Sequence, residues 1–252
     1  MMQSLYTAST GLSGQQKRID TIANNISNVN TVAFKTTSVS FEDTLYTAMK
    51  NPGDPQSSSN LQKGTGVRLS ATNIDFGQGA TRTTGNPLDL ALEGDGFFQL
   101  MDSSGEKLYT RNGSFSVSSE QDGSYLVSDE GYYVLDEKGE KIKLSGETSQ
   151  ITVSSDGTIS TGDTSVKLGL YRFENSAGLS PRGSGLFAVS AASGNSSAPD
   201  GCTVIQGALE GSNVDLGTEL TQLMRAQRLF SLSSSALQTA DEMTGVACNL
   251  RR

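Results

Sequence analysis

The chain has 252 residues and a formal net charge of −8, and only 35% of its residues are hydrophobic. This apolar content is low for one compact domain of this length and suits a protein that buries surface against neighbouring molecules. The lysines and arginines form no cluster, and no window approaches the ~20 apolar residues of a membrane span. We therefore expect no nucleic-acid partner and no direct membrane insertion.

The N-terminal segment has the spacing of an amphipathic helix, because apolar or small residues recur at intervals of three and four. An asparagine-rich stretch follows, and asparagine side chains compete with a helix for backbone hydrogen bonds. We predict a helix that ends within residues 25–30, followed by an extended segment through Phe34. The segment also lacks the continuous apolar core of a cleavable signal peptide. The apolar stripe consists of Leu5, Ala8, Leu12, Ile19, Ile22 and Ile26.

The stretch from Thr36 to Gly85 has few apolar residues, and Pro52 and Pro55 interrupt any regular element. Its composition favours a flexible linker. The piece from Phe41 to Tyr46 is compatible with either a short helix or an extended strand.

Residues 87–190 change to short runs with the pattern of β-strands, separated by Gly-containing turn signals. We predict an antiparallel β domain built from hairpins. The runs lie at residues 88–92, 97–100, 114–117, 125–127, 132–135, 141–144, 150–153 and 166–171. The turn signals are Asp95-Gly96, Asn112-Gly113, Asp122-Gly123, Lys138-Gly139 and Asp156-Gly157.

A return linker at residues 191–211 leads to a second predicted helix, from Val214 to Met243, within a terminal segment 212–252. Asn213 and Asp215 are alternative caps for its start. The helical spacing predicts one apolar stripe that then shifts register. The first stripe is Leu216, Leu220, Leu223, Gln227 and Phe230, and the second is Leu229, Leu232, Ala236, Thr239, Met243 and Val246.

The predicted fold class is α+β and elongated. We expect residues 1–30 and 212–252 to pair as a coiled-coil-like helical domain. An extended linker over residues 31–86 would connect that domain to the central antiparallel β domain at 87–190.

The residue types argue against catalysis. The chain has no histidine, which removes Ser-His and Cys-His pairs and histidine-based metal sites. The densest carboxylates are Asp89, Glu93 and Asp95, and turn chemistry at a strand end explains them. Cys202 and Cys248 lie far apart without companion ligands. We expect no catalytic residue, no cofactor and no metal site.

Four stretches resemble the flagellar rod and hook proteins, and the pattern is most similar to the distal rod members of that family. The first is ANNISNVNTVAFK at residues 23–35, near the N-terminus. The others are TGNPLDLALEGDGFFQL at 84–100, YTRNGSFSV at 109–117, and residues 207–243, GALEGSNVDLGTELTQLMRAQRLFSLSSSALQTADEM. The match covers nearly the whole chain in the expected order. Ala33 departs from it, standing where the family commonly has glycine.

The resemblance implies a structural subunit that assembles with copies of itself into a rigid helical tube, which transmits torque and encloses the export channel. It implies contacts with proximal rod and hook proteins at the tube ends and with surrounding ring proteins. It also implies location in the periplasm-spanning basal body, after export without a cleaved signal peptide. In addition, it implies an insertion at Thr47–Gly66 that packs between subunits and is ordered only in the assembly.

The expected assembly interface lies at the two ends of the chain. About ten stripe residues at roughly 1.5–3 kcal/mol each contribute on the order of 20 kcal/mol, less than ordering some 50 backbone positions costs. We therefore predict that the terminal helices fold only when copies stack. The interface residues are Leu5, Leu12, Ile19, Ile22, Ile26, Asn24, Asn25, Asn28 and Phe34 at one end and Leu220, Leu223, Phe230, Leu237 and Met243 at the other.

Two alternatives stay open at this point. Within the same class, the chain could be a proximal rod or hook subunit, although the insertion and the modest β domain favour the distal rod. From a different class, it could be a secreted β-rich protein that binds or cleaves glycans through paired carboxylates.

Overall fold

The computed structural model describes residues 2–48, 62–120, 123–144, 151–161, 164–199 and 201–249. It has a helix at each end of the described chain and strands between them, and all the strand pairs found in these residues are antiparallel. This confirms the α+β class with a central antiparallel β region. The chain divides into two compact units. The first comprises Met1–Ser27, Thr37–Ile74 and Asp215–Arg252, and the second comprises Asn28–Thr36 and Asp75–Val214.

The first unit contains the two helices and a β-ribbon. The helices α1 and α2 pack against each other, β1 pairs with β4, and β2 pairs with β3. The end of α1 falls within the range that its asparagines predict. Most of the predicted insertion, residues 49–61, lies outside the described residues. The elements are α1 Met2–Ser27, β1 Thr37–Asp43, β2 Tyr46–Ala48, β3 Gln62–Gly64, β4 Val67–Ile74 and α2 Leu216–Asn249.

A glycine on α1 makes room for the ribbon. A Cβ atom at Gly14 would lie 3.3 Å from a ring carbon of Phe41 on β1, a tighter approach than ordinary van der Waals contact. Glycine costs about 1 kcal/mol against alanine inside a helix. Here the missing side chain lets an aromatic ring of the ribbon approach the helix backbone.

The predicted register shift in α2 is wrong. The less exposed positions keep one continuous spacing of three and four residues along the helix, whereas the shifted stripe, Leu229, Leu232, Ala236, Thr239, Met243 and Val246, is exposed. The sequence pattern does not reveal this continuous line, because several of its residues are serine or alanine, which give a weak apolar signal. The line is Glu219, Leu223, Ala226, Phe230, Ser233, Leu237 and Ala240.

The second unit holds most of the β structure. Its largest sheet has ten strands, with the central order β12-β10-β11-β7-β8-β18-β17, and β13-β14-β15 form a three-stranded sheet. Two further pairs, β20 with β6 and β21 with β5, lie outside these sheets. The strands are β5 Thr81–Thr83, β6 Leu90–Glu93, β7 Phe97–Met101, β8 Lys107–Thr110, β9 Phe115–Glu120, β10 Gly123–Ser128, β11 Tyr133–Val134, β12 Lys143–Leu144, β13 Ile151–Val153, β14 Thr158–Thr161, β15 Thr164–Lys167, β16 Leu170–Phe173, β17 Ser180–Gly183, β18 Leu186–Ala188, β19 Ser196–Ser197, β20 Thr203–Gln206 and β21 Ala208–Glu210.

One apolar core joins these sheets. Phe98 on β7 is completely buried and meets Phe115 edge to face, with ring centroids 5.1 Å apart. Leu92 and Leu100 are also fully buried, as the predicted strand runs require. This core holds the strands of the second unit together.

Candidate assembly interface

The interface residues predicted on α1 form a half-buried line. Leu5, Leu12, Ile19 and Ile26 are each partly exposed, whereas Ile22 is buried. This line is the side of α1 that the apolar spacing predicts. Asn24, also on α1, is exposed.

The interface residues predicted on α2 divide between two sides of the helix. Leu223, Phe230 and Leu237 belong to its half-buried line, whereas Leu220 and Met243 are 44% and 63% exposed. A second apolar line at spacing i, i+4 lies beside the half-buried one and remains exposed in the subunit. It consists of Leu216, Leu220 and Met224.

A buried polar contact joins α1, α2 and the ribbon within the first unit. The Asn25 amide donates to the backbone oxygen of Thr37 at 2.9 Å and accepts from its N–H at 3.0 Å, as a backbone partner would. The same amide donates to Glu219 Oε1 at 3.3 Å. Glu219 is buried, and its second oxygen, Oε2, has no hydrogen-bond partner among the described residues. Asn25 is therefore a bridging residue rather than an exposed assembly contact.

Burial raises the pKa of Glu219 above its ordinary value, and the nearby Asp215 carboxylate adds to that rise, while the Asn25 hydrogen bond opposes it. The folded state therefore holds the proton more tightly than the unfolded chain. Stability contributed by this group is present at low pH and is lost as the pH rises from the unfolded value of 4.5 through the raised folded value.

We expect Glu219→Gln to stabilise the first unit by roughly 1 kcal/mol at neutral pH, because the variant keeps the acceptor for Asn25 without burying a charge. The measurement is the thermal midpoint of helical circular dichroism between about pH 4 and pH 7 in the assembled protein. Asn25→Asp is the opposite control, since it places a second carboxylate beside Glu219. If the thermal midpoint of Glu219→Gln changed with pH as steeply as that of the parent chain, Glu219 would not be the group that causes the pH dependence.

The start of α2 resolves the two alternative caps. Asp215 caps the helix: its carboxylate accepts from the N–H of Gly217 at 3.0 Å and from the hydroxyl of Thr218 at 2.6 Å. These hydrogen bonds, that of Thr218 foremost, lower the pKa of Asp215. Asn213 instead binds inside the second unit, where its amide oxygen accepts from the N–H and hydroxyl of Thr36, both at 2.7 Å.

The last part of the N-terminal signature belongs to the second unit. Asn28 caps a turn by accepting from the hydroxyl of Thr31 at 3.1 Å, and Phe34 is half-buried. The N–H of Ala33 donates to the backbone oxygen of Glu210 at 2.8 Å. Ala33 has φ 54°, which explains why the family commonly has glycine at this position.

A buried ionic cluster fixes this segment, and no sequence pattern predicts it. Glu210 accepts from Lys35 Nζ at 2.7 Å and from the N–H of Gly79 at 2.8 Å, and its other oxygen accepts from Arg111 Nη1 at 3.3 Å. All three charged side chains are at most 3% exposed. Burial lowers the pKa of Lys35, and the hydrogen bond that Lys35 donates to Glu210 only partly opposes this. The sequence did carry one signal for this cluster: Lys35, Arg111 and Glu210 all lie within the stretches that resemble the flagellar rod and hook proteins.

The carboxylates considered for catalysis have local partners. Asp89 accepts from the hydroxyl of Thr84 at 2.6 Å and from the amide of Asn86 at 2.9 Å, which orders the turn before β6. Glu93 accepts from the hydroxyl of Thr203 at 3.3 Å, and Asp95 lies 3.6 Å from Arg172. The described residues contain no group of acidic or cysteine side chains that could hold a metal ion. Their helices include none long and apolar enough to cross a membrane.

The comparisons with known proteins agree along the chain. Residues 5–35 match the flagella basal body rod protein family, residues 91–161 the flagellar hook protein FlgE/F/G D1 domain, and residues 205–250 the flagellar basal body rod FlgEFG protein C-terminal family. Relatives called flagellar basal-body rod protein FlgG are 40% identical in Borreliella burgdorferi and 37% in Bacillus subtilis, each covering 100% of both chains. The relative in Caulobacter vibrioides is 34% identical over 99% of this chain.

The three family matches and the full-length relatives define the class of this chain, which is a structural protein of the flagellar rod and hook type. The chain belongs to the flagellar basal-body rod family, and the resemblance to its distal rod members is confirmed. It is a structural protein of the basal body and not an enzyme.

Proposed function

We propose that this chain is the distal rod subunit that assembles with copies of itself into a rigid helical tube, transmitting torque and enclosing the export channel. The tube meets proximal rod and hook proteins at its ends and runs through surrounding ring proteins. The observation that carries the proposal is the exposed apolar line on α2, formed by Leu216, Leu220 and Met224. Such a line is costly in water and is removed from it when copies pack together.

The two terminal helices supply the coiled-coil-like part of the tube. Their facing sides leave most apolar positions half-exposed, so a single pair of helices buries too little surface to balance the ordering of its backbone. The half-exposed residues of the predicted interface on α1 and α2 therefore become fully buried only in the assembly. Heterologous contacts that do not close into a ring produce a helical polymer.

The protein reaches the rod through the flagellar export channel, and residues 1–30 serve in the assembled tube. The insertion at Thr47–Gly66 packs between subunits and stiffens the tube. In this proposal residues 31–86 connect the helical part to the β domain at 87–190, and residues 191–211 lead back.

Replacing Leu220 by aspartate is expected to prevent filament formation while leaving the second unit of the isolated subunit folded, because Leu220 belongs to the first unit and its side chain is 44% exposed. The measurement is electron microscopy of purified protein over a range of concentrations. Arg225→Asp, on an exposed polar position at the opposite side of the same helix, is the matched control and should assemble normally. A parent chain that stays monomeric at every concentration and binds or cleaves glycans would favour the alternative function.

Limited proteolysis should distinguish the two parts of the monomer. We expect cleavage within α1 and α2 at least tenfold faster than within β6 to β18, because helices stabilised mainly by neighbouring copies open often in the free subunit. In the assembled protein this difference should disappear. Terminal segments as resistant as the β region in the monomer would contradict folding on assembly.

A further inference from the structure

The second unit has an open groove that offers a contact surface in addition to the terminal helices. It has a volume of about 390 Å³ and lies between the turn after α1 and the short β5–β21 pair. The apolar side chains of Val29, Val32 and Leu209 line it together with Thr81 and Arg82. The strand β5 is exposed at all three of its positions.

One edge of β5 is unpaired. Its only strand partner among the described residues is β21, with Arg82 opposite Leu209. On either side of that pair, the Ala80 oxygen accepts from Gly211 and the Thr84 N–H donates to the Gly207 oxygen. Backbone groups alternate in direction along a strand, so those of Thr81 and Thr83 point away from β21. They form a row that an added strand can bind.

This edge lacks the usual protection against strand addition. Edge strands are commonly blocked by proline, by a bulge or by charged residues. The outer strand of the large sheet, β17, has both Pro181 and a break in register between Pro181 and Gly183. In β5, Arg82 is the single charged residue, and it forms no ion pair with any residue in the described parts of the chain.

The charge of the groove indicates its occupant. Glu210 also lines it, but its side chain is fully buried and already bound by Lys35 and Arg111, so the accessible charge is the guanidinium of Arg82. The chain has a net charge of −8, so another copy offers a complementary surface. We infer that the β5 edge takes up an extended, carboxylate-bearing segment of a second copy by strand addition. This contact rests on the proposed self-assembly and adds a β-type contact to the helical ones.

The test replaces Thr83 by proline, which removes an outward N–H but no bond to β21. Proline is tolerated at such an edge position, so the subunit should fold normally, as circular dichroism would verify. We expect the concentration needed for half-maximal assembly to rise roughly tenfold, corresponding to one or two lost hydrogen bonds. Thr83→Ala is the matched control, since it removes the side chain and keeps the N–H. Arg82→Glu should weaken assembly as well, and high salt should reduce the difference between it and the parent chain.

The outcomes separate this inference from the proposed function. If the parent chain assembles and Thr83→Pro assembles equally well while folded, the strand-addition contact is wrong and the rod function stands. If the parent chain never assembles, the proposed function itself fails. Assembly lost in both Thr83→Pro and Thr83→Ala would assign the contact to the threonine side chain, which also overturns strand addition.

Discussion

Replacing Glu210 by glutamine is expected to destabilise the second unit by about 3–5 kcal/mol, the range for breaking a buried ion pair. Among the described residues, Glu210 is the acidic side chain that forms ion pairs with two buried cations, Lys35 and Arg111. Its loss leaves two like charges in a low-dielectric site. Removing Lys35 instead leaves the Glu210–Arg111 pair electrically neutral, so Lys35→Met should cost clearly less. Urea unfolding followed by far-ultraviolet circular dichroism measures both.

The pH dependence provides an independent check on this cluster. Burial and the nearby Arg111 charge already lower the pKa of Lys35, while Glu210 and Asp75 oppose that shift. Without the Glu210 carboxylate the pKa of Lys35 should fall further. A lysine with a lowered folded pKa binds fewer protons when folded, so stability rises with pH between the folded pKa and the unfolded value of 10.5.

The loss of stability caused by Glu210→Gln should therefore become smaller as the pH increases toward the unfolded pKa of lysine, 10.5. The double variant Lys35→Met/Glu210→Gln should be more stable than Glu210→Gln alone, because one buried cation is gone. Equal stability of the three charge variants at neutral pH would show that the cluster contributes nothing through its charges.

The ionic cluster is an example of a contact that could not be predicted from the sequence. Lys35 and Glu210 are 175 residues apart, and periodicity relates only residues that are near neighbours in the chain. The α1 stripe and the β runs were predictable because each depends on local spacing. The choice between Asn213 and Asp215 as the α2 cap was not, because tertiary contacts with Thr36 determine which side chain remains free to cap.

The predicted register shift in α2 was wrong for a related reason. The sequence pattern weights large apolar residues such as Leu232 and Met243, which are 66% and 63% exposed in the subunit. The line that is half-buried contains Ser233 and Ala240, whose small side chains permit close packing. Apolar residues that a polymer needs at its contacts thus resemble core residues in sequence.

Turn signals were reliable only where they connect neighbouring strands. Asp156-Gly157 lies between β13 and β14, which pair, and Lys138-Gly139 lies between the bridged residues Leu135 and Lys141. Asp95-Gly96 and Asn112-Gly113, by contrast, do not connect paired strands. The strands that flank Asn112-Gly113, β8 and β9, pair with other strands instead.

The reason for glycine at position 113 is close packing. A Cβ atom there would lie 1.7 Å from the backbone oxygen of Leu90 and 3.2 Å from the ring of Phe98. The Gly113 oxygen accepts from the Leu90 N–H at 3.0 Å, which holds the two backbones together. Leu90 and Phe98 are both at most 2% exposed, so neither can move without disrupting the core.

We therefore expect Gly113→Ala to destabilise the second unit by about 3 kcal/mol or more, at the upper end for overpacked sites, and to reduce soluble expression. Gly105→Ala is the matched control: Gly105 has φ 83°, but no atom lies within 4 Å of an added Cβ. That variant should lose only the roughly 1–2 kcal/mol of a left-handed backbone. Urea unfolding of both variants compares steric overlap with backbone strain. Similar losses would mean that the Leu90 backbone yields easily and that the core around β6 is less rigid than its burial indicates.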